Sequence, residues 1–397
     1  MAHSDLSKAK NGKNDEFYTQ YHDIEKEISA YLEYDPNVFH GKTVLLPCDD
    51  PEWSNFTKFF AQNFGRFGLK KLISTSYAVE SKMYSSNYQP TFFEVNDPHY
   101  DETKTRVNGK IFTLDRDKSG DGKIDIHDLE WKYLEGDGDF KSEEIKKLRD
   151  EADIIITNPP FSLFRDFLSW IVEANKQFLI IGNINVITYK EVFPLIKQNK
   201  VWLGTGMGRW ISGFVVPDTY ELYGTEAAID SSGNRIVATN NCLWLTNIDH
   251  GKRHQPLALM TTEDNLRYNK KLKGIDSYKK YDNYDAIEVP YTDAIPSDFN
   301  GVMGVPITFL DKYNPDQFQI LGATQRGCHD EVPDIAKYDD YWEVKQNGQK
   351  TGSSGGKTNE NANLVGNDGK KNYFINKDGR IIQSSYQRIF IKHKKTN

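Results

Sequence analysis

Apolar residues recur at Ile24, Ile28, Tyr31 and Leu32, an i, i+4, i+7, i+8 spacing that predicts an amphipathic helix just after Tyr18-Thr19. Lys42–Leu46 (KTVLL) is a short apolar run ending in Pro47-Cys48-Asp49-Asp50-Pro51, which predicts a buried strand stopped by turn residues. Asn55–Phe64 predicts a helix capped by Ser54 or Asn55, and Lys71–Thr75 the next strand. Asp153–Thr157 (DIIIT) is a β-branched run from Ile154 onward and predicts a strand covered on both faces. Asn158-Pro159-Pro160-Phe161 stops it. Ser162–Val172 then sets Leu163, Phe164, Phe167 and Leu168 on one helical face, Phe178–Gly182 predicts a strand and Tyr189–Ile196 a helix. Strand alternating with helix predicts an α/β fold with a doubly wound, largely parallel sheet.

Two stretches break the alternation. From about Gln89 to Phe140 the periodicity is lost, and residues 96–140 are heavily acidic, as in an insertion; Ser142 then caps a helix opened by Glu143 and Glu144, where acids suit the dipole. After Val201 come short strands with Gly-rich turns (VWLG, GFVVP, CLWLT, VPITFL, FQILG, RIFIK), which predict a mixed, β-rich C-terminal region. Lys345–Lys371 is rich in Gly, Ser, Asn and Lys and predicts a mobile loop. The expected division is a flexible N-terminus over 1–14, an α/β domain over 15–250 and a further region over 251–397.

Composition narrows the class. A chain of 397 residues, 38% hydrophobic and 13% aromatic, can build two or three packed domains. It has no apolar run of about 18 residues and no apolar secretory leader, so no membrane association is expected. Three distant cysteines (Cys48, Cys242, Cys328) argue against a disulfide framework and for a reducing cytoplasm. The net charge of -7 offers no overall pull toward a polyanion, yet it is uneven. Tyr341–Asn397 carries 11 Lys or Arg against 4 Asp or Glu, and Lys252–Lys280 carries 8 against 3. Such runs are either solvated faces or a surface for a polyanion.

The most informative chemistry is Asn158-Pro159-Pro160-Phe161. Open α/β sheets place their sites at the carboxyl ends of strands, where this corner falls. Two prolines stiffen the turn. The Asn158 side-chain oxygen and the Pro159 carbonyl can each take one hydrogen of an exocyclic amine, leaving its lone pair for attack on a methyl sulfonium. Phe161 offers a flat face to a base removed from its stack. The same four residues also suit a plain strand-to-helix turn with an Asx cap.

DIIITNPPF resembles the (D/N/S)PP(Y/F) motif of S-adenosylmethionine-dependent amino-methyltransferases. LLPCDDPEWSNF, EGDGDF, TNPPFSLFRDF, FLIIGNINVITYKEVFPLI, LTNIDHGKRH and GVPITFLDKYNP resemble, in the same order, the EcoRI-type DNA adenine methyltransferase family, from about Phe17 to Lys392. The resemblance implies a Rossmann-like methyltransferase sheet, an N6-adenine transfer within duplex DNA and S-adenosyl-L-methionine as methyl donor. It implies catalytic roles for Asn158, Pro159, Pro160 and Phe161. It implies cofactor contacts from Pro47, Cys48, Asp49 and Asp50, where the usual Gly-rich turn is absent, and from Phe17, Tyr18 and Thr19, Asp139 and Phe140, and Glu80 on the ribose. An Asx turn at Asp49-Asp50, a helix start at Phe17–Thr19 and an acidic turn at Asp139 remain the local alternatives.

The acidic stretch carries a separate signal. Asp117, Ser119, Asp121, Asp125 and Asp128, with a carbonyl from Lys123 and a turn at Gly122, follow an EF-hand-like spacing for a structural Ca2+, or else form an acidic turn with a DG bend. For DNA, the candidates are Lys252, Arg253, Arg267, Lys270 and Lys271 in the region 251–397, where phosphate contacts would position a duplex. The expectation is a monomeric N6-adenine methyltransferase, of a kind that can be paired with a cognate restriction endonuclease. A cytosine N4-methyltransferase, or an inactive DNA- or cation-binding protein of the same fold, are the alternatives.

Overall fold

The computed structural model describes residues 17–49, 54–78, 97–208, 211–216, 227–230, 233–238, 241–324, 332 and 335–394. The readings at residues 1–14, Asp50, Glu80 and Cys328 lie outside these. The chain is a mixed α/β protein with four sheets among the described residues, divided into two units: residues 1–186 with 202–251, and residues 187–201 with 252–397.

The first unit opens with β1 (Tyr18–Thr19) and α1 (Tyr21–Tyr34), whose Ile24, Ile28 and Tyr31 are buried as their spacing requires. Then follow β2 (Thr43–Leu46), α2 (Asn55–Gln62), α3 (Phe64–Phe67) and β3 (Lys71–Ser76). Ser54 caps α2 by accepting from the Phe56 N–H at 3.0 Å. After α4 (Glu102–Val107), β4 (Lys110–Leu114) and β5 (Glu130–Tyr133), α5 (Glu143–Glu151) is capped by Ser142. The chain continues through β6 (Ile154–Thr157), α6 (Phe164–Glu173) and β7 (Gln177–Asn183). Past α7 (Phe193–Lys197), which lies in the second unit, come β8 (Trp202–Met207), β9 (Phe214–Val216), β10 (Ala227–Ile229), β11 (Arg235–Val237) and β12 (Cys242–Thr246).

The main sheet runs β5-β4-β3-β2-β6-β7-β12-β8. Its centre, β3-β2-β6-β7, is parallel, and the strands flanking it on both sides are antiparallel. β2 and β6 are buried at every position, because a central parallel strand is covered on both faces. The stretch 97–140, expected as an aperiodic insertion, instead supplies β4 and β5 to the sheet. β5 (EWKY) is an edge strand carrying exposed Glu130 and Lys132, so its apolar signal is weak. A smaller sheet, β1-β9-β11-β10, is antiparallel where its strands pair.

The second unit holds α8 (Thr262–Tyr268), the sheet β13-β14-β21-β15 and a five-stranded sheet, β17-β16-β19-β20-β18. Their strands are β13 (Ala286–Glu288), β14 (Val302–Pro306), β15 (Phe318–Ala323), β16 (Trp342–Val344), β17 (Lys350–Ser354), β18 (Asn363–Val365), β19 (Tyr373–Ile375), β20 (Ile381–Ser384) and β21 (Arg388–His393). Lys345–Lys371, expected as a mobile loop, therefore contributes two strands. Polar residues hold it: Thr358 and Asn363 are fully buried, and Asn363 N donates to Asn283 Oδ1 at 2.9 Å. Gly355 sits so close under Tyr341 that a Cβ there would meet the Tyr341 Cβ at 2.2 Å.

Candidate active site

β2 and β6 lie side by side and point the same way, so the bend after β2 and the corner after β6 emerge at one edge of the sheet. Thr157 Oγ1 donates to the Pro47 carbonyl at 2.7 Å and ties them together. Asn158 Nδ2 donates to the Phe17 carbonyl at 2.8 Å. That bond fixes the amide, because a carbonyl can only accept. Asn158 Oδ1 is consequently buried without a partner. An unpaired buried acceptor costs roughly 1–3 kcal/mol, so this oxygen is suited to a donor brought by a ligand. The Pro160 carbonyl takes the Leu163 N–H at 3.0 Å, opening the short 3-10 turn before α6.

Aromatic rings wall the corner. Phe161 stacks on Phe17, with centroids 5.6 Å apart, and Phe214 stands edge-on to Phe161 at 6.3 Å and tilted to Phe17 at 5.8 Å. One face of Phe161, open to a base on sequence grounds, is thus taken by Phe17. Phe214 escaped the sequence reading; its strand, GFVVP, was visible, but its pairing with β1 (Thr19 against Phe214) was not. Thr19 is buried, and its hydroxyl has no hydrogen-bond partner.

At the β2 bend Cys48 adopts φ +62, the left-handed conformation that glycine more often takes. Its Sγ lies 3.6 Å from the Tyr77 hydroxyl. Burial pushes the Cys48 thiol up to about 12, and burial likewise raises Tyr77; the Asp139 charge adds to both, which puts that carboxylate in their neighbourhood. Asp49 turns inward: its carboxylate accepts from Ser54 Oγ and from Thr57 Oγ1 at 3.0 Å, fastening the start of α2 to the bend. Gly138, at φ +88, passes so near β3 that a Cβ would meet the Ser76 carbonyl oxygen at 2.4 Å. This close pass, with the Ala78 N–H donating to the Asp137 carbonyl at 2.8 Å, delivers Asp139 to the same edge. Phe140 is different: it is buried between Phe167 and Trp170, at 5.1 and 5.7 Å, and acts as core.

Residues 5–394 match the family described as adenine-specific methyltransferase EcoRI. The chain belongs to this family. It is an adenine-specific DNA methyltransferase, and membership implies use of S-adenosylmethionine. It is 50% identical to the Type II methyltransferase M.EcoRI of Escherichia coli, over 80% of this chain and 88% of that protein. M.MpnI of Mycoplasma pneumoniae is 33% identical over 80% and 84%, and M.MgeORF184P of Mycoplasma genitalium 35% over 80% and 85%. No solved structure gives a significant match. Family membership decides for adenine over cytosine, which the Asn-Pro-Pro-Phe corner alone left open.

In this methyltransferase two acids on α1 hold the strand that leads toward Phe214. Glu27 accepts from Thr205 N (2.7 Å), Thr205 Oγ1 (2.7 Å), Gly206 N (2.8 Å) and Tyr31 Oη (3.0 Å). Burial nonetheless raises its pKa, against the lowering effect of all four of those bonds. Asp23 accepts from Ser212 N at 3.0 Å and Ser212 Oγ at 2.8 Å, two residues before Phe214. An acid among Ile24, Ile28 and Tyr31 on the buried helical face is the signal that could have exposed Glu27.

The acidic turn spends its carboxylates on backbone. Asp117 accepts from Gly120 N at 2.6 Å and Gly122 N at 2.8 Å, and Asp128 from Lys118 N at 2.9 Å, Ser119 N at 2.8 Å and Asp125 N at 3.0 Å. The Ser119 N–H, first among these, brings Asp128 down to about 2. Asp121 and Asp125 accept from Lys123 N and His127 N. Among the described residues no three metal-ligating side chains gather. Of the basic candidates, Lys252 pairs with Asp311 at 2.6 Å, Lys271 with Asp293 at 2.8 Å, and Arg253 is buried and donates to Asn199; Arg267 and Lys270 are exposed. No helix among the described residues is long and apolar enough to cross a membrane.

Proposed function

We propose that this chain methylates N6 of an adenine turned out of duplex DNA, at the corner formed by Asn158, Pro159, Pro160 and Phe161. The observation that carries the reading is the buried, unpartnered Asn158 Oδ1, oriented by the Phe17 carbonyl and joined through Thr157 to the Pro47 bend. Asn158 Oδ1 accepts one amine hydrogen and the Pro159 carbonyl the other. The nitrogen keeps its lone pair, and its developing positive charge meets two oriented dipoles. The prolines keep those dipoles from relaxing, so no reorganisation is needed during transfer. Phe161 and Phe214 confine the base.

S-Adenosylmethionine, when bound, supplies a methyl group on a sulfonium. The groups proposed to hold it are Phe17–Thr19, Pro47–Asp50 and Asp139. In favour are the orphaned Thr19 hydroxyl, the left-handed turn at Cys48 and the approach of Asp139 to Cys48 and Tyr77. Asp49 would serve through the bend it braces. We read the parallel strands β3-β2-β6-β7 as the Rossmann-like half of a methyltransferase sheet, and the region 251–397 as the part that reads the DNA target.

The test is to incubate the protein and methyl-labelled cofactor with mixed bacterial DNA, digest to nucleosides and separate them. Label in N6-methyl-2′-deoxyadenosine alone is expected. Asn158→Ala should lose on the order of 10²–10³-fold in turnover with an unchanged circular dichroism spectrum. Turnover near that of the unaltered protein would refute the role.

A further inference from the structure

We propose that the hairpin joining β16 and β17 is a base-reading ribbon that enters the major groove of the DNA substrate. This rests on the DNA methyltransferase reading above and adds which side chains recognise the target. Val344 faces Lys350 across the hairpin, and the connecting residues are Lys345, Gln346, Asn347, Gly348 and Gln349. All six positions from 345 to 350 are exposed. The turn is closed by Lys345 N donating to Gln349 O at 2.8 Å and Gly348 N to Lys345 O at 2.9 Å, with Gly348 at φ +81.

The chemistry of the tip matches what base edges offer. Gln and Asn amides each carry a donor and an acceptor and pair with adenine in the major groove, and Lys pairs with guanine. The groove admits a two-stranded β-ribbon. From Val344 to Ser354 the hairpin has Lys345 and Lys350 and no Asp or Glu, and Glu343 of the stem accepts from Thr351 and Asn372, so the tip meets phosphates with positive charge. Neither Lys345 nor Lys350 forms a salt bridge among the described residues, in contrast to Lys252 and Lys271.

The stem is firm where the tip is polar. Lys350 Nζ lies 4.1 Å from the centre of the Trp342 ring. Thr351 Oγ1 donates to Glu343 Oε2 at 2.6 Å, and Asn372 Nδ2 to Glu343 Oε1 at 3.1 Å. β16 is itself paired with β19, so the ribbon stands on a five-stranded sheet. A rigid stem lowers the ordering cost when the tip engages DNA.

The test uses the full chain. Genomic DNA is methylated by the unaltered protein and by Gln346→Ala, Gln349→Ala and the double variant, and the sequence contexts of N6-methyladenine are read by single-molecule sequencing. We expect the recognition sequence to relax at one or more positions, with a loss of discrimination of about 5- to 150-fold at each. Cofactor affinity by calorimetry should not change. Lys345→Ala should reduce the slope of log affinity against log salt by about 0.9. Gln349→Cys should crosslink to a thiol-tethered base inside the mapped site. Unchanged contexts, or equal slowing at every site, would overturn the assignment, as would a failed crosslink. An unaltered protein that makes no N6-methyladenine would overturn the proposed function instead.

Discussion

Thr157 Oγ1 donates to the Pro47 carbonyl at 2.7 Å, a bond between residues 110 apart in the chain. Both partners sit at the carboxyl ends of adjacent parallel strands, and the hydroxyl is fully buried. The bend after β2 and the Asn158 corner after β6 are therefore held as one piece. Positioning of this kind is where a transfer needing no covalent enzyme intermediate gains its rate.

Thr157→Val removes the hydroxyl at nearly constant shape and strands the Pro47 carbonyl. The expected cost is about 1–3 kcal/mol, measured as a lower urea midpoint. The KM for S-adenosylmethionine should rise as well. A variant with unchanged cofactor KM would separate the bend from the corner.

Gly138→Ala places a Cβ 2.4 Å from the Ser76 carbonyl oxygen at φ +88. A loss of about 1–3 kcal/mol is expected from backbone strain, with weaker cofactor binding as Asp139 is displaced. Gly120→Ala is the control: φ is +76 there, but a Cβ meets nothing within 4 Å. Calorimetric cofactor titration of the two variants should show a loss for Gly138→Ala alone.

Glu27→Gln tests a buried acid through pH. The folded pKa of Glu27 is raised above 4.5 by burial, so the folded state holds this proton more tightly than the unfolded state. Its favourable contribution is complete below about 4.5 and is lost as pH rises through the raised value. The stability of the unaltered protein relative to Glu27→Gln should therefore fall over that window, as measured by urea unfolding at several pH values. A difference independent of pH would show that Glu27 does not titrate there.

Arg388→Met leaves Glu288 buried without its cation. Arg388 Nη2 lies 2.5 Å from Glu288 Oε1, both side chains are nearly inaccessible, and the Tyr281 hydroxyl also donates to Glu288. The expected loss is about 3–5 kcal/mol in denaturant unfolding. Adding Glu288→Gln should recover part of it.

The apolar runs at Thr43–Leu46 and Ile154–Thr157, and the face of α1, were legible because continuous or helically spaced burial leaves a direct trace in sequence. β5 and β17 were not, since edge and half-buried strands alternate weakly and are rich in polar residues. Asn158 was recognisable by its prolines; Phe214 and Glu27 were not recognisable as site residues, since their partners lie far away in the chain.

By itself the sequence determined which segments must be buried, where the chain must turn sharply and, through its ordered motifs, which methyltransferase family the chain belongs to. Only the tertiary structure decided which oxygen of that corner is left unpaired, that Phe140 belongs to the core, and that Asp49 braces a bend. The reason is physical: burial and turning are local demands on side-chain type, whereas hydrogen-bond satisfaction is decided by whichever groups long-range folding brings within reach.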